Sequence, residues 1–182
     1  MCKLPVSEAL KILPHYTYSD YLHWEGKWEV IAGIPYAMSP APVPKHQQIA
    51  VNITSEFRVT LKNCKKCKAY QPIDYILADD TILQPDLLIV CKEITKKFLD
   101  FPPALVVEIL SPATALKDRH TKFALYEKQK IQYYIIVDPE LNEAEVYVLN
   151  NEEYELKEKG KNFSFSFQFD ECASTVDFSE IW

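Results

Sequence analysis

Leu105-Val106-Val107-Glu108-Ile109-Leu110-Ser111-Pro112 is the stretch on which the fold turns. Its apolar, largely β-branched residues predict a strand over about 104–110, and Ser111-Pro112 ends it because proline cannot donate to a ladder. Strand alternation sets Glu108 on the same face as Leu110. Downstream, a helix is predicted from about Thr114 to Lys128, carrying Phe123, Ala124 and Tyr126. Gln132–Val137 follows as a buried strand stopped by Asp138-Pro139. Upstream, a strand at about Leu83–Cys91 includes Gln84-Pro85-Asp86-Leu87-Leu88-Ile89-Val90. Strands interleaved with helices predict a mixed sheet flanked by helices, of α/β (α+β) class.

The rest of the chain fits around this centre. Trp28-Glu29-Val30-Ile31 and Ile34-Pro35-Tyr36-Ala37-Met38 flank Ala32-Gly33, a hairpin signal. From His46 to Leu61 the apolar residues Ile49, Ile53, Phe57 and Leu61 recur every four positions, which predicts an amphipathic helix. Thr17–Trp24 suits a short helix capped by Thr17 or Ser19, and the prolines of residues 39–44 demand an extended connector. A strand is expected at about Lys68–Leu77, a second hairpin at Glu143–Leu149 and Tyr154–Lys157, and a last strand near Phe163–Phe169. Residues 1–15 read as an N-terminal arm and 170–182 as a C-terminal tail of one domain spanning 1–182.

Composition narrows the function. With 48% hydrophobic residues in 182, the chain can bury a real core. No apolar run reaches the roughly 18 residues of a membrane span, and residues 1–5 lack a secretory h-region, so a cytoplasmic protein with no membrane partner is expected. A net charge of −6 argues against coating nucleic acid by bulk charge. Local basic patches remain at Lys62–Lys68 and at Lys92, Lys96 and Lys97. With three glycines, neither GxGxxG nor a Walker-type phosphate loop is present. The five cysteines are expected as reduced thiols. Cys64 and Cys67 form a lone CxxC, Cys91 and Cys172 are not expected to join it, and a structural zinc is therefore not expected.

Acids on apolar strands are costly to bury unless partnered. A divalent cation with a nearby lysine is such a partner, and that set cleaves phosphodiesters. Asp86 and Glu108 can place two carboxylates on neighbouring strands. The position two after Glu108 is Leu110, so a lysine must come from elsewhere. Asp118, Lys122 and Tyr126 are spaced four apart and share one side of the predicted helix. If that side faces the acids, Lys122 restores the charge balance, with Asp118 or Tyr126 orienting it. If it faces solvent, Asp118 and Lys122 are an ordinary surface pair; spacing leaves both open.

Pro85-Asp86, Val107-Glu108-Ile109-Leu110-Ser111-Pro112-x-Thr114-x3-Asp118-x3-Lys122-x3-Tyr126 and Tyr133-Tyr134-Ile135-Ile136-Val137-Asp138-Pro139 together resemble the Uma-two family of putative restriction endonucleases, within the PD-(D/E)xK nuclease superfamily. The resemblance begins at Trp28-Glu29-Val30-Ile31-x-Gly33, includes Met38-Ser39-Pro40 and His46, and runs to about Tyr147. It implies a restriction-endonuclease-like fold, Mg²⁺ (or Mn²⁺) on Asp86 and Glu108, and a catalytic role for Lys122. It further implies that Glu29 assists a second metal and that His46 contacts substrate phosphate, with Asp118 and Tyr126 beside it. Glu29 as an exposed strand residue and His46 as a helix-start residue are the plain alternatives. The chain departs from the family at Ala32, where an acid is common, and at Leu110, where the lysine is expected.

The resulting expectation is a Mg²⁺-dependent endonuclease acting on DNA, with homodimerisation suggested by the need to cut two strands. The alternative is a non-catalytic dimeric module that binds nucleic acid or protein on a nuclease fold.

Overall fold

The computed structural model describes residues 13–38 and 43–182. The expected arm up to residue 12 and residues 39–42 of the connector lie outside the described residues. Short helix α1 (Tyr18–Tyr21) begins where predicted, the Asp20 carboxylate accepting hydrogen bonds from the Thr17 N–H and hydroxyl, both at 2.8 Å. The hairpin β1 (Trp28–Ile31) and β2 (Ile34–Ala37) turns through Ala32 at φ 49° and Gly33 at φ 77°. Two positive φ angles make a tight turn of the kind hairpins favour. Gly33 is required twice over, since a Cβ there would collide with the His15 ring. Helix α2 (Pro44–Thr60) starts with proline in its first turn, where the missing N–H has no partner to lose.

Two predicted strands are each broken by a proline, and each pair of halves enters different sheets. Lys68–Leu77 splits at Gln71-Pro72 into β3 (Lys68–Tyr70) and β4 (Tyr75–Ala78). Leu83–Cys91 splits at Pro85 into the end of β5 (Thr81–Leu83) and β6 (Leu87–Val90). After β7 (Leu105–Ile109), a π turn (Lys117–Lys122) runs into α3 (Phe123–Lys128). Strands β8 (Tyr133–Asp138), β9 (Glu143–Asn150) and β10 (Glu153–Gly160) match their predicted places.

A six-stranded sheet has the order β10-β9-β8-β7-β6-β3, and a four-stranded sheet the order β2-β1-β5-β4. In the larger sheet only β7 and β8 run parallel, because the helical segment between them makes the crossover a parallel pair requires. Alternation gives that sheet two apolar faces. Leu87, Ile89, Val107, Ile109, Ile135 and Val137 pack under α2, whose Ile49, Ile53 and Phe57 form one stripe. Leu88, Val106, Leu110, Tyr134 and Ile136 face the other way, toward Tyr126 of α3 and Ile31, Tyr75 and Leu83 of the smaller sheet.

The C-terminal segment is not a tail. Residues 172–177 form β12, which pairs antiparallel with β11 (Ser164–Phe169), and a 3₁₀ turn (Phe178–Ile181) follows. Phe167, Val176, Phe178 and Ile181 complete the core against α2, with the Phe57 and Phe167 rings 5.5 Å apart. The strand is hard to read in sequence because its buried positions alternate through a polar Ser174. The cysteines also depart from expectation. Cys64 is bonded to Cys172 and Cys67 to Cys91. The register Lys68↔Val90 carries Cys67 opposite Cys91, and the hairpin lying along α2 brings Cys172 to Cys64.

Candidate active site at the seam of the two sheets

The break at Pro85 puts Asp86 where the chain leaves the smaller sheet and enters the larger. Leu87 pairs with Val107, so the register continued by one step sets Asp86 opposite Glu108. Asp86 Oδ2 accepts the Ile109 N–H at 2.8 Å and lies 3.4 Å from His46 Nε2, at the N-terminal end of α2. Its side chain keeps 18% of its surface exposed, whereas Glu108 is buried on all sides. Glu108 Oε1 takes both the Lys122 ammonium at 2.8 Å and the Tyr126 hydroxyl at 2.6 Å. The partners of each acid therefore crowd one oxygen, leaving lone pairs on the other.

Lys122 joins the two sheets. Its Nζ lies 2.8 Å from Glu108 on β7, 2.7 Å from Glu29 Oε1 on β1 and 3.4 Å from Asp118 Oδ1 one turn earlier. Glu29 is fully buried, and Lys117 pairs with its other oxygen while the Gln84 N–H donates to Oε1 at 3.1 Å. A π turn closes i→i+5 rings, so Lys117 and Lys122, five apart, can face one carboxylate. In an α-helix that spacing would turn one of them away. Lys117 also stands 5.2 Å from the centre of the Tyr36 ring.

Four acids and two lysines gathered in this seam set the charge states. Burial alone would push Lys122 toward neutrality, but Glu108, Glu29 and Asp118 outweigh it and hold its ammonium protonated far above neutral pH. Burial likewise raises Glu29, yet Lys122 and Lys117 prevail and its carboxyl titrates below the usual range. Glu108 goes the other way: burial, abetted by Asp118, Asp86 and Glu29, lifts it well above an ordinary carboxyl despite Lys122. Asp118 is raised too, mainly by burial. Burial lowers His46, but its hydrogen bond to and charge attraction from Asp86 win and raise it. Among the described residues, His46 Nδ1 is buried without a hydrogen-bond partner, and Asp118 Oδ1 is buried with only the 3.4 Å ionic approach of Lys122 Nζ.

The structure thus brings Asp86, Glu108, Lys122, Asp118, Tyr126, Glu29 and His46 into one seam. His46, Asp118 and Tyr126, expected near substrate, with Asp118 or Tyr126 also expected to orient Lys122, are 7%, 1% and 0% exposed and contact other side chains of the seam. Tyr126 steadies Glu108, Asp118 faces Lys122, and His46 braces Asp86. Glu29 was expected to assist a metal, but lysines engage both of its oxygens. Lys117 went unnoticed because helical spacing points it elsewhere. The two basic patches partly merge: Lys65, Lys66, Lys68 and Lys92 line one groove with Tyr70. That groove sits at the far end of β6 from Asp86, about 20 Å away at the usual strand rise, and Lys96 is paired with Asp100.

Comparison with known proteins bears on the family and the fold. Residues 18–169 match the Uma2 family, described as "putative restriction endonuclease". An uncharacterized Synechocystis sp. (strain ATCC 27184 / PCC 6803 / Kazusa) protein, slr1290, is 30% identical over 148 residues, covering 76% of this chain and 77% of its own. The fold is similar to the crystal structure of a "putative nuclease belonging to DUF820" from Anabaena variabilis ATCC 29413, with a TM-score of 0.66 and 21% identity. That likeness covers 78% of this chain and 83% of the other.

Proposed function

This chain belongs to the Uma2 family, and on that premise we propose that it is a Mg²⁺- or Mn²⁺-dependent nuclease that hydrolyses DNA phosphodiesters at the Asp86–Glu108 edge. The observation that carries the reading is the convergence of Lys122 on Glu108 beside Asp86, with no lysine at position 110. The donor set fits a hard cation. Mg²⁺ takes one or two carboxylates plus waters and substrate phosphate, and Asp86 with Glu108 offers two opposed carboxylates, each with one oxygen free of the contacts above. Bound there, a divalent ion would polarise the phosphate and lower the pKa of an attacking water.

The protein's own groups do the rest. Lys122, fixed as a cation, stabilises negative charge developing beside Glu108 and is no proton acceptor at neutral pH. Glu29 and Asp118 hold that ammonium in place, and Tyr126 fixes the carboxylate it serves. His46 and the Ile109 amide orient Asp86, the acid nearest solvent. Lys45, exposed beside His46 at the start of α2, is the cation that would meet a phosphate backbone, since Lys117 is already paired with Glu29.

Plasmid nicking with Mg²⁺ or Mn²⁺ tests the assignment. The unsubstituted chain should convert supercoiled DNA to open circles, and Asp86→Ala, Glu108→Ala and Lys122→Ala should each reduce the rate at least 100-fold. Equal rates in all four would refute it. One observation favours the non-catalytic module as a second reading: Glu29, Lys122, Glu108 and Asp118 already neutralise one another as a structural network. Absence of cleavage with either metal, alongside retained folding of every variant, would select that reading.

A further inference from the structure

Four cysteines from three segments come together past the C-terminal end of α2. Cys64 and Cys67 lie on the turn that leaves the helix, Cys91 follows β6 directly, and Cys172 opens β12. The sulfurs of Cys64, Cys67 and Cys172 lie within 4.8 Å of one another, and Cys91 is joined to Cys67. We propose that the reduced chain binds one Zn²⁺ through the thiolates of Cys64, Cys67, Cys91 and Cys172, as a structural site independent of the acids at the sheet seam.

The size is right. A Zn–S bond of about 2.3 Å in a tetrahedron separates sulfurs by about 3.8 Å, within the 4.8 Å spread of the Cys64, Cys67 and Cys172 sulfurs, and release of the Cys67 bridge leaves Cys91 beside them as the fourth. Two independent bridges need only their own partners close together; here sulfurs of one bridge also gather around those of the other. The local backbone is prepared as well. The Cys67 N–H donates to Cys64 Sγ at 3.1 Å across the CxxC turn, the kind of support that orients a metal-bound thiolate. Cys67 is buried and the other three are partly covered, which suits a closed structural site.

Charge points the same way. Zn²⁺ with four thiolates carries a net −2, and Lys65, Lys66, Lys68 and Lys92 line the groove that includes Cys91. Neighbouring ammonium groups also favour the thiolate over the thiol. In the reduced chain an ion here would take over from the two bridges in tying the end of α2, the β3–β6 edge and the C-terminal hairpin to one another. The bridged and metal-bound forms are two oxidation levels of the same sulfurs. Each bridge takes two electrons and two protons to give two thiols, a phosphine being oxidised to its oxide, and Zn²⁺ then displaces the four thiol protons to solvent.

The test uses the full chain, reduced with a phosphine without oxygen, stripped by chelator and titrated with Co²⁺ and then Zn²⁺. One equivalent of Co²⁺ should produce the thiolate charge-transfer and d–d bands of a tetrahedral four-sulfur site, and one equivalent of Zn²⁺ should bleach them. Cys91→Ser and Cys172→Ser should each lose that spectrum, while Asp86→Ala keeps it. No stoichiometric Co²⁺ binding by the reduced chain, or an unchanged spectrum in both serine variants, overturns the proposal. Should the serine variants unfold, X-ray absorption on the zinc-loaded unsubstituted chain decides. Four sulfurs at about 2.3 Å support the site, and a shell containing nitrogen or oxygen contradicts it.

Discussion

Lys122 holds the buried charges of the seam together, touching Glu29, Glu108 and Asp118 at once. Removing one partner from a buried charge cluster strands the rest and typically costs about 3–5 kcal/mol. Lys122→Ala should therefore destabilise the chain by roughly that amount in urea unfolding, somewhat offset as Glu108, already poised toward its neutral form, takes up a proton. Adding Asp118→Asn to Lys122→Met should recover part of the loss, since the buried Asp118 then no longer carries a charge whose lysine is gone, whereas Glu29 keeps Lys117. A double variant less stable than the sum of the two single changes would contradict this coupling. At this scale the sequence was partly readable. Asp86 and Glu108 announce themselves as acids in apolar strands, and Lys122 follows from four-residue spacing with Asp118 and Tyr126. Lys117 could not be read, because its contact with Glu29 depends on a π turn that no residue pattern signals.

At the scale of elements, the β1–β2 turn and the β8–β9 pair make separable predictions. Ala32 sits exposed at φ 49°, a conformation alanine tolerates poorly and asparagine well. Ala32→Asn should raise stability by about 0.5–1 kcal/mol, read as a higher denaturation midpoint at unchanged slope; no gain would mean the turn is not strained as described. On β9, Glu145 accepts from Arg119 Nη1 on both oxygens, at 3.0 and 2.9 Å, with Tyr147 and Lys159 also donating. Burial raises its carboxyl, but these donors prevail and depress it below the usual range. A depressed folded-state value stabilises the fold above the unfolded carboxyl range and loses that contribution as pH falls through the folded value. Glu145→Gln should therefore cost about 1–2 kcal/mol at neutral pH, and the gap to the unsubstituted chain should close below about pH 4. A gap that stays constant between neutral and acid pH would refute the ionic account. The strands themselves were legible from alternation, and their prolines marked the breaks. What local sequence does not carry is that the halves of each broken strand join different sheets.

Taken whole, the molecule is two sheets with a charged seam between them, closed at one side by α3 and braced on the other by α2 and the C-terminal hairpin. The α+β class and the six-stranded sheet's central strands could be read in advance, because long apolar runs flanked by Ser-Pro and Asp-Pro leave few alternatives. The C-terminal hairpin and the meeting of four cysteines could not, since both depend on contacts between residues separated by as many as 108 positions. Among the described residues, no helix is long and apolar enough to cross a membrane. The seam is the whole molecule's functional claim: Glu29 from one sheet and Glu108 from the other fix Lys122, and Asp86 at the crossing offers the accessible carboxylate. Calorimetric titration with Mn²⁺ tests that most directly, comparing the unsubstituted chain with Asp86→Asn, a near-isosteric change that keeps the fold. Stoichiometric binding that falls at least 10-fold in affinity in Asp86→Asn is the expected result. Binding of equal affinity in both chains, or none in either, would contradict the account.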